Sequence, residues 1–271
     1  MFSPYKNVPE PSQTIFLLMK RSLYRIYQLC VATPLILLAT ILTSVVTCVG
    51  CFVGSAHFWG YYPGKYWSIF ILRVLLLPVK VSGRELLDRN TSYIFVINHQ
   101  SAIDIFVIYG FICRNFKWMM KSTLRRMPFV GIACAKARHI FVDRSNSSGM
   151  RETISQARET LQGGTSLVVF PEGSRTYTGR LGKFKKGAYL LAADLQLPIV
   201  PVTLNGPFDV LPRTRGINFV ERHPLHMIIH EPIYPQNNRP EELQRLIRLS
   251  EEAIERDLPL KYQRPKAPVA E

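Results

Sequence analysis

The hydrophobic positions of this chain change character twice along its length. Between Ile26 and Ala56 no residue is charged. Residues 26–54 as helix would measure about 43 Å, longer than the roughly 30 Å hydrocarbon core of a bilayer. A membrane segment is expected there, with a kink at Pro34. The rival reading, a signal peptide, fits poorly, because the apolar run is too long and no small-x-small cleavage site precedes the aromatic stretch. That stretch, residues 58–67, holds Phe58, Trp59, Tyr61, Tyr62, Tyr66 and Trp67, side chains that favour headgroup level. A second apolar stretch, 67–79, is interrupted by Arg73 and is expected to return in the membrane plane as a re-entrant or interfacial helix. Lys20, Arg21 and Arg25 precede the pair and Lys80 and Arg84 follow it, so both ends are expected on the cytoplasmic side. The alternative is a single crossing with the N-terminus outside.

After residue 79 the pattern becomes an alternation of short β-branched runs with amphipathic segments. Strands are expected at 79–83, 93–98, 117–120, 139–142, 166–170, 198–204 and 226–231. Helices are expected at 101–113, 128–137, 150–162, 186–196 and 240–256, the last opened by Pro240 with Glu241 and Glu242. This order predicts an α/β fold with a mixed, largely parallel sheet flanked by helices. Three segments follow: membrane-anchoring helices at 1–78, the α/β domain at 79–257 and a loose Pro- and Lys-containing tail at 258–271.

Composition narrows the partners. The 271 residues carry 34 Lys and Arg against 19 Asp and Glu, a net charge of +15 that favours polyanions such as anionic membrane lipids and phosphorylated substrates. The basic residues are dispersed rather than massed in an arm, so nucleic acid is not an expected partner. Five cysteines without framework spacing are read as reduced, and Cys48-x-x-Cys51 lies inside the apolar run as filler. His223-x-x-His226-x3-His230 has ligand-like spacing. On a strand, however, only His226 and His230 share a face, and no metal is expected.

Candidate chemistry gathers at strand ends. The apolar run Tyr93 to Ile97 stops at Asn98-His99, and Ser101 then offers an N-cap for the next helix. On one ideal helix His99 and Asp104 would stand about 140° apart. With His99 still in the corner, the Asp104 carboxylate can reach back to its ring, making a base and its orienter. Lys121 ends a short strand, Asp143 and Arg144 end another, and Glu172-Gly173-Ser174-Arg175 follows a third. Ligands of open α/β sheets bind beyond such carboxyl ends. There Arg144, Arg175 and Lys121 could meet a phosphate, and Gly173 lets the backbone come close.

These stretches resemble the 1-acyl-sn-glycerol-3-phosphate acyltransferases (lysophosphatidic acid acyltransferases) of the glycerolipid acyltransferase superfamily. Asn98-His99-Gln100-Ser101-Ala102-Ile103-Asp104 is similar to that family's first motif and Phe141-Val142-Asp143-Arg144 to its second. Phe170-Pro171-Glu172-Gly173-Ser174-Arg175 is similar to the third, with Ser174 where Thr is usual, and Pro198 to Val202 to the fourth. The resemblance implies acyl transfer from acyl-CoA or acyl-acyl carrier protein, as co-substrate and with no cofactor, to the sn-2 hydroxyl of lysophosphatidic acid. Phosphatidic acid would result, within phospholipid biosynthesis. It implies His99 as base, Asp104 as its orienter, Lys121, Arg144 and Arg175 on the acceptor phosphate, and Glu172 on glycerol hydroxyls or a partner arginine. Gly173 and Ser174 complete the substrate-binding turn. Backbone N–H groups at Ser101 or Gly173 are candidate oxyanion donors.

The implied location is a bacterial-type inner membrane with the catalytic domain facing the cytoplasm. Glycerol-3-phosphate and other lysophospholipids are alternative acceptors. A hydrolase lacks its Gly-x-Ser-x-Gly elbow here, and a phospholipase D-type site would need Lys at position 101 and a second copy. A basic membrane-anchored scaffold would explain the charge but not the ordered motifs.

Overall fold

The computed structural model describes residues 11–142, 148–161, 163–214 and 218–265. Its N-terminal part is helical: α1 (Pro11–Tyr27), a π-helical turn (Gln28–Ala32), α2 (Thr33–Val53), the short α3 (Ala56–Trp59) and α4 (Tyr62–Val74). Just before Pro34 the helix passes through this π turn, where Thr33 Oγ1 donates to the Gln28 carbonyl at 2.8 Å. There follow β1 (Val79–Ser82), β2 (Ile94–Ile97), α5 (Ile103–Phe111), β3 (Phe116–Lys121), α6 (Val130–Lys136), β4 (Ile140–Val142), α7 (Ser148–Thr160), β5 (Ser166–Val169), α8 (Gly187–Leu195), β6 (Ile199–Asn205), α9 (Pro207–Val210), β7 (Leu225–Ile229) and α10 (Pro240–Arg256).

The strands form one sheet in the order β1-β7-β6-β2-β5-β3-β4. Every neighbouring pair is parallel except β6 with β7. The expected mixed, largely parallel sheet is therefore present. β2 lies inside it and is buried on both faces, so its sequence reads as an unbroken apolar run. Phe95 and Ile97 pack toward α4 and α5, whereas Ile94 and Val96 pack toward α8 and α10.

Two expectations change. The stretch at 67–79 runs through the end of α4 at Val74 into β1, and it packs on the domain: Ile71 and Leu72 join the core that holds Phe95 and Val107. The packing thus continues across residue 78. The described part of the tail, residues 258–265, is not loose either, and residues 266–271 lie outside the described residues. Leu258 and Tyr262 are buried beneath α8 and α10, and the Tyr262 hydroxyl donates to Asp209 at 2.7 Å. Arg264 pairs with Glu251 and Glu255, both at 2.9 Å. An apolar anchor every fourth residue and a guanidinium between two carboxylates fix this segment despite its prolines.

The long N-terminal helix, Leu18–Val53, has 36 residues and a mean hydropathy of 2.4 over its most apolar window, of which only 17% is buried. It is long and apolar enough to cross a membrane, yet the domain holds it near both ends. Arg21 pairs with Glu221 at 2.5 Å, Gln28 exchanges two hydrogen bonds with the Val220 backbone, and Gly50 lies against the Trp59 indole. Between them the Trp67 indole donates to Thr40 at 3.0 Å. The inward positions of α2 are small or polar, with Ser44, Thr47 and Gly50 buried, while Leu38, Leu42, Val49 and Phe52 face out. This helix is turned inside out relative to a water-soluble surface helix.

At the carboxyl end of β2, Asn98 extends the β2–β6 ladder past its last pair. Its carboxamide donates to Leu204 O at 2.9 Å and accepts from Leu204 N–H at 2.7 Å. Asn98→Ala would leave two buried backbone groups without partners, each costing about 1–3 kcal/mol. A clear fall in the urea midpoint with an unchanged m-value is the expected result of equilibrium unfolding.

Candidate active site

The corner after β2 is tied down at every residue. The His99 N–H donates to Glu172 Oε1 at 2.7 Å, and the His99 carbonyl accepts from Thr176 N–H at 3.1 Å. Gln100 Nε2 donates to the Gly179 carbonyl at 2.6 Å. Ser101 is not the N-cap itself, because α5 starts at Ile103 with Ala102 at the cap position. Its hydroxyl nevertheless accepts from Ile103 N–H at 3.1 Å while donating to Leu211 O at 2.7 Å.

Asp104 is fully buried in the first turn of α5. Its Oδ2 accepts from His99 Nδ1 at 2.8 Å and from the N–H groups of Gln100 and Ser101 at 2.8 and 2.9 Å. The carboxylate reaches back to the ring, as the corner argument requires. An acceptor at Nδ1 places the proton there and leaves the Nε2 lone pair as the ring's basic end. The His99 imidazole stacks on the Phe170 ring, centroids 3.7 Å apart and 10° from parallel, and Phe170 in turn stacks on Trp118 at 5.7 Å.

His99 opens onto a cavity of about 630 Å³. Its wall is mostly apolar, from Trp67, Phe106, Tyr109, Trp118 and Met120, and is completed by the small polar face of α2 at Thr40, Ser44 and Thr47. Lys121 and Gly173 line the same space, as does Lys185, which the motif reading passed over. Gly173 has φ +81. In this left-handed turn its N–H donates to the Phe170 carbonyl at 3.0 Å. That bond, with the Ser101 N–H on Asp104, means both expected oxyanion donors are engaged within the protein. Ser174 and Arg175 follow outside the lining; Ser174 is exposed, and the Arg175 carbonyl accepts from Arg213 at 2.6 Å. Arg144 and Asp143 lie outside the described residues.

Glu172 accepts from backbone with both oxygens, Oε1 from His99 N–H and Oε2 from Gly182 N–H at 2.8 Å. It joins the histidine corner to the 182–186 loop, a role the motif reading did not assign. Burial pushes its carboxyl up to about 7, against the pull of the two amide bonds. Nothing local in the sequence marks this clamp, since its second anchor lies ten residues further on in a loop. The histidines at 223, 226 and 230 each find a separate neighbour. His230 bonds Thr203 at 2.8 Å, His226 lies 3.4 Å from Ser82, and His223 sits 2.8 Å from the Pro224 carbonyl. Among the described residues no set of three His, Cys, Asp or Glu side chains comes together.

A buried carboxylate, an oriented imidazole and an apolar cavity stand together at the strand ends of an α/β scaffold, and residues 78–205 match the Acyltransferase family profile. The chain is 35% identical over 155 residues to a 1-acyl-sn-glycerol-3-phosphate acyltransferase of Cocos nucifera, covering 57% of this chain and 48% of that one. A chloroplastic relative of the same name from Brassica napus is 32% identical, over 57% and 44% of the two chains. The Saccharomyces cerevisiae relative is 31% identical, over 68% and 61%. The crystal structure of the 1-acyl-sn-glycerophosphate acyltransferase PlsC from Thermotoga maritima superposes with a TM-score of 0.60 at 26% identity, covering 83% of this chain and 95% of that one. Over its α/β part the chain is therefore similar to the 1-acyl-sn-glycerol-3-phosphate acyltransferases. It spans about half the length of the plant relatives it matches.

Because the folded chain holds the Glu172 proton to higher pH than the unfolded one, this group's contribution to stability should decline as pH rises from its ordinary value near 4.5 to about 7. Glu172→Gln cannot titrate and also loses one amide acceptor. Denaturant unfolding across that range should show a lower stability for the variant and a flatter pH slope than in the wild type.

Proposed function

We propose that this protein transfers a fatty acyl group from a thioester donor, acyl-CoA or acyl-acyl carrier protein, to the sn-2 hydroxyl of 1-acyl-sn-glycerol-3-phosphate. The observation that carries the reading is the His99 ring, fixed at Nδ1 by Asp104 while its ring opens onto an apolar cavity. In this mechanism Nε2 takes the hydroxyl proton as the oxygen attacks the thioester carbonyl. Asp104 stabilises the imidazolium, and collapse of the tetrahedral adduct passes that proton to the leaving thiolate. General-base help of this kind is worth about 10²–10⁴ in rate. The Phe170 ring against the imidazole keeps water from that face, which favours the lipid alcohol as nucleophile over hydrolysis.

Acyl chains suit the cavity's apolar wall, and the acceptor phosphate would be met by Lys121 and Arg175, with Arg144 as a further cation. The inside-out helix supplies the lipid: with its Leu, Val and Phe face outward and both ends held by the domain, it would lie half-embedded along the membrane surface. The basic residues flanking the helices favour a catalytic domain on the cytoplasmic side.

Purified His99→Ala should lose at least about 10²-fold in kcat and remain folded and membrane-bound, in an assay with labelled acyl donor and lysophosphatidic acid. Retention of most of the activity would remove His99 as the base. Arg175→Ala should mainly raise the apparent KM for the phosphorylated acceptor, and an unchanged constant would move phosphate binding elsewhere.

A further inference from the structure

The knuckle that joins β3 to α6 turns apolar side chains and cations toward solvent. After β3 the chain makes a short helical turn (Ser122–Arg126), then enters α6 through Pro128 and Phe129. Phe129 sits at φ 58 and ψ −61, and the Val130 N–H donates to the Pro128 carbonyl at 2.6 Å. This is a γ-turn of the rare, strained kind, at a residue with a bulky side chain. Gly131 closes the knuckle, since a Cβ there would collide with the Arg125 carbonyl oxygen. The strain brings no burial: Phe129 is 51% exposed and Ile132 is 58% exposed. Ile132 shares its outward face of α6 with Lys136, whereas Val130, Ala133 and Ala137 line the cavity beside His99.

The charges of this region have one sign. No Asp or Glu occurs between Asp104 and Asp143. Arg125, Arg126, Lys136 and Arg138 are all exposed, and among the described residues none of them pairs with a carboxylate. Arg125 lies over the Phe141 ring at 5.4 Å, which holds its stem against the domain. α2 packs against α6, so the knuckle stands beside the helix whose Val45, Val49 and Phe52 are exposed. Leu124 and Met127 are exposed and also line the cavity, which therefore reaches the surface here. Exposed bulky apolar groups among unpaired cations, with no acid between them, complement the acyl chains and phosphates of an anionic leaflet.

We propose that the knuckle at 122–138 docks on an anionic bilayer, with Phe129 and Ile132 among its acyl chains and Arg125, Arg126, Lys136 and Arg138 on its phosphates. This contact is separate from the apolar face of α2 and independent of the acyl-transfer reading above. The γ-turn holds the phenyl ring outside the fold, and lipid supplies the burial that the fold withholds. Docking also sets the cavity rim at Leu124 and Met127 against the leaflet.

The test places a reporter on this face of the full-length protein, reconstituted into vesicles of brominated phosphatidylcholine with and without phosphatidylglycerol. Ile132→Trp is read as the fluorescence difference from the parent chain. With phosphatidylglycerol its emission should shift to the blue and be quenched by the bromines; without it both changes should be much smaller. An unshifted, unquenched reporter in the anionic vesicles overturns the proposal. In the reporter chain, Arg125→Gln with Arg126→Gln should abolish the difference between the two vesicle types. An equal loss of charge elsewhere, Lys183→Gln with Lys186→Gln, should preserve it; a matching loss there would reduce the effect to net charge and overturn the site. Phe129→Gly, which suits the positive φ, should weaken the quenching while the urea midpoint holds or rises. A clear fall in that midpoint would make Phe129 a packing residue and overturn its role in docking. A blue shift without bromine quenching, together with a dimer in analytical ultracentrifugation, would assign the face to a second copy of this chain and also overturn it. Acyl transfer by the arginine pair variant in detergent should match that of the wild type, so the docking and the proposed reaction fail or stand separately.

Discussion

One carboxylate oxygen organises the corner after β2. Asp104 Oδ2 collects the His99 ring and two backbone amides, all within 2.9 Å, and it does so from the first turn of α5 with no exposure to water. The two amides belong to the turn that carries the histidine, so ring and backbone are positioned by the same atom. A buried anion is costly unless it is well hydrogen-bonded. Oδ2 meets that demand with three donors at the start of a helix, while Oδ1 is buried without a hydrogen-bond partner among the described residues. Any change in the chain's path between β2 and α5 would therefore act on the anion and the base together.

Around this point the two faces of the sheet differ. The α4–α5 side carries the inside-out helix and the apolar cavity, while the α8–α10 side carries the C-terminal segment. The histidine stands where the two meet. Glu172 links the halves by holding one amide from each, which explains why a turn glutamate is so deeply set.

Much of this was legible from residues alone, for identifiable reasons. β2 could be read because burial on both faces forces an unbroken apolar run, and the approach of Asp104 to His99 because a corner shortens what a helix would separate. The Glu172 clamp could not, since its partners are backbone amides brought close only by the path of a later loop. The inward face of α2 was present as Thr40, Ser44, Thr47 and Gly50 at helical spacing, but in a run so apolar that hydropathy alone conceals it. The tail misled in the opposite direction: its prolines suggested disorder, while Leu258, Tyr262 and Arg264 each had a tertiary partner waiting. Short-range pattern reports on faces and corners, and it is silent on contacts made by chain segments that return from elsewhere.

The hydroxyl-bearing side of α2 is at once the inner surface of a transmembrane-length helix and part of the enclosure around the reacting ring. One wall thus serves both the outer apolar face and the cavity. Any shift of this helix by a fraction of a turn would reshape the chamber directly, so, under the proposed reaction in a bilayer, the thickness of the surrounding membrane would bear on which acyl tails fit, without any dedicated regulatory site.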